Sequence, residues 1–194
     1  MTQSDAENPV YWRNPVIDRT DWAPGPWDDE PDKVQWIDEA TDLDCLAVRN
    51  HYGSWCGYVG LPPGHRLHGV GYDDVEPYPD VHGGLTFADS CDEHEDPARG
   101  ICHVPEPGRP ADVWWLGFDC GHFMDVSPGL EATLRRVRAE HPPDSKLAAI
   151  EERLKTDTPD WLREVYRDLD YVRAEVARLA AQLADITAGS HPDR

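Results

Sequence analysis

The chain has 194 residues, of which 38 are acidic and 18 basic, for a formal net charge of −20. Such a chain repels a polyanion unless a basic patch is segregated, and the few Lys and Arg before residue 129 form no cluster, so nonspecific nucleic-acid binding is excluded as a first reading. No apolar run reaches the ~18 residues of a membrane span, and Met1–Glu7 lacks the basic-then-apolar pattern of a leader. The expectation is a soluble cytoplasmic protein of one domain, or one domain with an appendage.

Charge divides the chain. Residues 1–44 carry 12 acidic and 3 basic side chains, 45–128 carry 13 and 4, and 129–194 carry 13 and 11. The break near Ser127-Pro128 separates two acidic, Pro-, Gly- and Trp-rich segments from a balanced, Ala/Leu/Arg/Glu-rich tail. The fold class expected is α+β: a small antiparallel β domain with long loops over 44–127, preceded by an acidic arm over 1–43 and followed by a helical segment over 128–194.

The arm holds Tyr11, Trp12, Trp22, Trp27 and Trp36 among turn formers such as Ala23-Pro24-Gly25-Pro26. Disordered segments are depleted in aromatics, so one reading lays the arm over the domain with Trp anchors; the other is a flexible acidic leader. Cys45–Arg49 and Trp55–Val59, joined by His51-Tyr52-Gly53-Ser54, read as a hairpin. Val81–Phe87 and Val113–Phe118 read as two further strands. Residues 60–80 and 88–112 read as long loops, of the kind that is functional or disordered.

Ser127-Pro128 reads as a helix start with the apolar stripe Leu130, Leu134 and Val137, ended by His141-Pro142-Pro143. A shorter helix is expected around Lys146–Lys155, and Thr158-Pro159-Asp160 opens a last one over 160–187. There Leu162, Val165, Leu169, Val172, Val176, Leu179, Leu183 and Ile186 alternate spacings of three and four, a heptad seam. A narrow seam of this kind favours pairing with a second copy, making the protein a homo-oligomer through its C-terminal helix; the alternative is a helix packed on its own domain by the same residues.

Seven of the nine His lie between residues 51 and 122 and four of the five Cys between 56 and 120, which concentrates polar chemistry in the β segment. An odd cysteine count without CxxC argues against a disulfide framework. In Gly117–Asp125, Cys120, His122 and Asp125 can project into one pocket and bind a divalent metal such as zinc, with His82 as a further ligand; the alternative is a hydrogen-bonded strand end in which Asp119 caps a turn. Val81-His82-Gly83-Gly84-Leu85-Thr86 exposes backbone N–H groups suited to an anionic or planar ligand, or forms a plain β-bulge. Leu61–Gly69 places His65, Arg66 and His68 where they would attract a phosphate or carboxylate, or is a surface loop with incidental charge. A nucleophile at Cys56 or Cys120 with His82 or His122 as base is conceivable. GxGxxG, GxSxG and HExxH are absent.

Cys56-Gly57-Tyr58-Val59-Gly60-Leu61-Pro62-Pro63-Gly64-His65, His82–Phe87, Trp114–His122 and Tyr166-Arg167-Asp168-Leu169-Asp170-Tyr171-Val172 together resemble a family of uncharacterised proteins encoded by tailed phages and prophages, many in actinobacteria. The resemblance covers roughly 45–126 and 160–186. Gly121 and Met124 depart from it, standing where the family has Ala and Gly. It implies a phage protein acting in the host cytoplasm and a recurring polar set: Cys56, Tyr58, His65, His82, Thr86, Asp119, Cys120, His122, Asp125, Tyr166, Arg167, Asp168 and Tyr171. No activity comes with it.

The ligand-binding set expected is Tyr58, His65, His82, Gly83, Gly84, Thr86, Asp119, His122, Tyr166, Arg167 and Tyr171, with Arg167 supplying charge to a small anionic ligand. The leading functional expectation is a phage protein that binds such a ligand, sequestering a nucleotide-derived immune signal. The alternatives are a metal-dependent hydrolase or transferase using His82, Cys120, His122 and Asp125, and a structural component of the virion.

Overall fold

The computed structural model describes residues 9–142 and 163–188 and, between them, 144, 146, 148–150, 152, 153 and 159. An antiparallel sheet of six strands forms its centre: β1 (Val10–Trp12), β2 (Lys33–Ile37), β3 (Asp44–Arg49), β4 (Trp55–Leu61), β5 (Phe87–Ser90) and β6 (Trp114–Asp119), in the order β1-β2-β3-β4-β6-β5. Two helices are described in full, α1 (Pro128–Glu140) and α2 (Leu169–Ala188). The α+β class is as the sequence indicates. No helix of the described residues is long and apolar enough to cross a membrane.

Period-two alternation sorts the side chains onto two faces. Cys45 and Ala47 of β3, Val59 and Leu61 of β4, and Leu116 and Phe118 of β6 share one core with Val172, Val176, Leu179, Leu183 and Ile186 of α2. The alternate residues Leu46, Cys56, Tyr58 and Trp115 form a second cluster with Val113 on the opposite face, covered by Cys91 and Ile101 of the 91–112 loop. Gly57 sets how closely α2 lies: a Cβ there would stand 2.6 Å from both the Phe118 ring and Val176 Cγ2.

The seam from Val172 to Ile186 is therefore buried within its own chain, whereas Val165 is exposed. Val172, Val176, Leu179 and Leu183 are fully inaccessible, which corrects the expectation that these side chains face a second copy: the open face of β3 and β4 occupies them first. The helix also starts at Leu169, not at 160. Val165 N–H donates to Met124 O (2.8 Å) and Val126 N–H to Val165 O (3.1 Å), an extended pairing that withdraws the backbone around Val165 from any helix. Asp168 then caps the first turn, its Oδ1 accepting the Tyr171 N–H at 2.9 Å. Thr158, Asp160 and Leu162 lie outside the described residues.

Four other expectations change. The acidic arm supplies β1 and β2, so it is the edge of the sheet and not a layer over it; only Trp27 and Trp36 of its five aromatic anchors are buried. Val81–Thr86 is a turn and the strand begins at Phe87, because Gly83 and Gly84 adopt φ of +64° and +85°. Cys91 and Cys102 form a disulfide: the loop between them folds back on the sheet, a closure that cysteine parity could not reveal, and Cys45, Cys56 and Cys120 stay free and buried. In α1, Ser127 stands at the cap position but its hydroxyl pairs with Ser54 Oγ at 2.5 Å. The buried side of α1 is Gly129 and Ala132, whereas Leu130, Leu134 and Val137 are exposed. Described residues of the expected middle helix, including 148–150, are helical.

Candidate functional site

Three segments meet at the edge of the sheet core where α2 begins. The first is the Val81–Gly84 turn, closed by the Gly84 N–H on Val81 O at 3.0 Å. The second is the chain leaving β6, where Asp119 Oδ1 accepts the Gly121 N–H (2.9 Å) and His122 O accepts the Asp125 N–H (3.0 Å). The third is the first two turns of α2, where Tyr171 and Glu175, four residues apart, lie on one helix face. Glu175 pins the turn by accepting the His82 backbone N–H at 3.0 Å.

Asp125 is the hub. Its side chain is 2% exposed, and Oδ2 lies 2.7 Å from His82 Nε2 and accepts the His122 backbone N–H at 3.1 Å, while Oδ1 accepts Arg167 Nε at 2.9 Å. Burial alone would raise the carboxyl's pKa; the hydrogen bonds from His82 and Arg167 outweigh it and hold Asp125 below the ordinary range, so it is ionised at neutral pH. An ionised carboxylate only accepts, so His82 Nε2 carries the proton, and in the neutral ring Nδ1 accepts the Tyr171 hydroxyl at 2.9 Å. Burial raises the Tyr171 phenol's pKa, keeping it protonated for that role. Arg167 lies over the Tyr171 ring at 4.8 Å, and Asp125 holds its pKa above the usual value despite partial burial.

His122 completes the group. Its ring centroid is 5.4 Å from that of His82, and its Nδ1 lies 3.8 Å from Asp125 Oδ2 and 3.9 Å from Asp119 Oδ1, buried and without a hydrogen-bond partner among the described residues. Ligand atoms of His82, His122 and Asp125 fall within 4.8 Å of one another. Nitrogen and oxygen ligands of a tetrahedral zinc, at bonds of about 2.05 Å, stand about 3.3 Å apart. The spacings of 2.7 and 3.8 Å found here bracket that value, so small side-chain rotations admit an ion in place of the proton between Nε2 and Oδ2. Nδ1–H of His82 would then donate to Tyr171, the outer-shell support common for metal-bound imidazoles.

Gly83 makes room for His122. A Cβ at residue 83 would fall 2.1 Å from the His122 Cε1 atom, and the φ of +64° is itself strained for an L side chain. Gly83→Ala is expected to displace the His122 ring with a stability loss of about 1–3 kcal/mol. Chemical-shift mapping of the histidine ring protons checks this; unmoved His122 resonances would show that the ring is not held by that contact.

The remaining expected site residues lie elsewhere or serve the fold. Tyr58 is buried on the opposite face of the sheet, edge-on to Phe87 at 5.3 Å. His65 ties the 60–70 loop to α2, its Nε2 3.2 Å from Leu183 O and its Nδ1 accepting the Leu67 N–H; burial lowers its pKa. Thr86 is exposed and gives its N–H to Gly117 O. Gly84 shapes the turn, and Asp119 orders the loop that carries His122. Tyr166 belongs to a separate cluster with Glu30 and Arg49. Cys120 falls outside the ligand group: it is buried in the sheet core, and burial beside Asp125 pushes its thiol pKa up. Cys56 is likewise pushed up, to about 12, by burial and Asp119. Neither thiol is a ready nucleophile in these surroundings, and Cys120 is not among the ligand atoms that His82, His122 and Asp125 bring together.

Sequence reading missed Glu175, although an acidic residue directly before a buried seam position, Val176, is a signal that could have found it. It also missed the partly buried Glu30 and the buried charges Asp32, Lys33 and Arg49, whose partners are remote in sequence. The chain matches no protein-family model, no curated protein and no solved structure.

Proposed function

We propose that this protein is a metal-dependent enzyme of the hydrolase or transferase class, phage-encoded, whose divalent ion is held by His82, His122 and Asp125. The observation that carries the reading is His122 Nδ1, a buried nitrogen without a hydrogen-bond partner among the described residues, which stands 3.8 Å from a carboxylate oxygen already 2.7 Å from a second imidazole. Three protein ligands leave a fourth position for water or substrate, the arrangement of hydrolytic zinc sites, and the ion would supply Lewis acidity and a water of lowered pKa. His122 is 34% exposed, so the group is open to solvent on that side. Arg167 brings a fixed positive charge next to Asp125 and favours an anionic substrate.

A second reading, ligand sequestration without turnover, draws on the Arg167–Tyr171 pair, which offers a cation and an aromatic face to a nucleotide-derived anion. One set of measurements separates the two. The full chain, stripped with a chelator and kept oxidised, is titrated with Zn2+ by calorimetry and then incubated with phosphate esters and nucleotides. Enzyme function predicts one equivalent of zinc, lost in His122→Ala and Asp125→Asn, and metal-dependent product. Zinc binding with a nucleotide returned unchanged supports sequestration. A chain that binds no zinc overturns the metal reading, and one that binds neither zinc nor nucleotide overturns both.

A further inference from the structure

On the opposite face of the sheet a second group of ligand atoms gathers around the disulfide. We propose that Cys91, Cys102 and His103 bind a soft divalent ion of the zinc class when the Cys91–Cys102 bond is reduced, so that disulfide and metal are alternative cross-links of the same loop. Ligand atoms of the three residues lie within 4.8 Å of one another. His103 is set up for the role: its Nε2 lies 3.2 Å from Pro110 O, a carbonyl that can only accept, so Nε2 carries the proton and the Nδ1 lone pair faces Cys91 Sγ at 3.9 Å. A backbone carbonyl on the far nitrogen is the support that metal-bound imidazoles use. Zn–S and Zn–N bonds of about 2.3 and 2.05 Å at the tetrahedral angle place sulfur and nitrogen about 3.5 Å apart, close to the distance present.

The surroundings suit thiolates. Trp115 Nε1–H donates to Cys91 Sγ at 3.3 Å, and the buried Lys33 ammonium, held by Arg99 O, Gly100 O and Cys102 O, brings a positive charge to the same loop. Beside the cluster opens a pocket of about 380 Å3, whose wall includes Cys102, His103, Glu93, His94 and Glu95. One of these rim side chains, or a water, would fill the fourth position. The chemistry balances with a dithiol as co-reactant. Its two S–H groups become one disulfide, its two electrons break the Cys91–Cys102 bond, and both cysteines become thiols. On binding, each thiol releases its proton to solvent and gives its sulfur lone pair to the ion.

Cobalt(II) alone is the probe, because thiolate ligation gives a charge-transfer band that the His82 site cannot produce. The full chain is titrated before and after treatment with a dithiol that is then removed anaerobically. The expected result is a thiolate band saturating at one equivalent in the reduced chain only, absent from the Cys91→Ser/Cys102→Ser chain. In His103→Ala the affinity falls by more than the roughly 10- to 100-fold that losing a supporting group costs. Should the double variant misfold by circular dichroism, the reduced and oxidised natural chain and His103→Ala decide alone. A reduced chain without the band, a band that survives in the double variant, or unchanged affinity in His103→Ala overturns the proposal. Zinc binding to the oxidised chain is unaffected by any of these outcomes.

Discussion

Val176→Asp is expected to abolish cooperative folding and not merely to dissociate an oligomer. Val176 is fully buried between α2 and the sheet, with its Cγ2 against the position where Gly57 has no side chain. Removing the apolar group forfeits about 1.5–3 kcal/mol of burial. Placing an unpaired carboxylate there adds several kcal/mol more, or forces it to stay protonated. The total approaches the roughly 5–15 kcal/mol by which domains are stable. Thermal unfolding followed by far-ultraviolet circular dichroism, with light scattering on the same sample, makes the test. A variant that keeps its melting transition while its mass halves would mean that this face of α2 meets a second copy.

Glu30→Ala is expected to destabilise the protein by about 3–5 kcal/mol, the range for removing one member of a buried ion pair. Glu30 Oε2 accepts Arg49 Nη2 at 2.6 Å, Trp55 Nε1 at 3.1 Å and the Tyr166 hydroxyl, and Oε1 accepts the Leu169 N–H at 2.8 Å. Arg49 has no exposed side-chain surface and lies 4.3 Å over the Trp55 ring, so it cannot recover water when its partner goes; Asp32 at 3.3 Å remains its second anion. The Leu169 N–H is one of the orphan donors at the start of α2, so the same substitution frays the helix end that presents Tyr171 to the candidate site.

The Glu30 carboxyl also gives the protein a defined acid sensitivity. Burial would raise its pKa, but the bonds from Tyr166, the Leu169 N–H and Arg49 win and hold it below the ordinary 4.5. A depressed carboxyl stabilises the folded state fully above its unfolded pKa, and that stabilisation is lost as pH falls through the folded value. Denaturant midpoints measured downward from pH 6 should fall less steeply in Glu30→Gln than in the natural chain. Equal slopes would show that Glu30 is not tied down as described.

What the sequence determined by itself is local. The short apolar runs Cys45–Arg49, Trp55–Val59 and Val113–Phe118, bounded by turn formers, were enough to identify β3, β4 and β6, because strands buried on both faces need apolar side chains at nearly every position. Ser127-Pro128 and His141-Pro142-Pro143 bounded α1 because proline chemistry acts within a residue or two. His82, His122 and Asp125 were legible as polar residues lacking an apolar reason for their place. Which surface satisfies an apolar stripe is not local: the seam of α2 reads the same whether it meets a second helix or the face of β3 and β4, and only the tertiary structure shows the sheet face available to take it. The same holds for the strand that Gly83 and Gly84 turned into a loop and for the Cys91–Cys102 pair, made by a fold-back that no spacing rule describes. Glu30 and Arg49 stand 19 residues apart, and Tyr166 is 136 from Glu30. Buried charges of this kind exist only because chain closure brings their partners into reach, and that closure also turns three scattered polar residues into one candidate site.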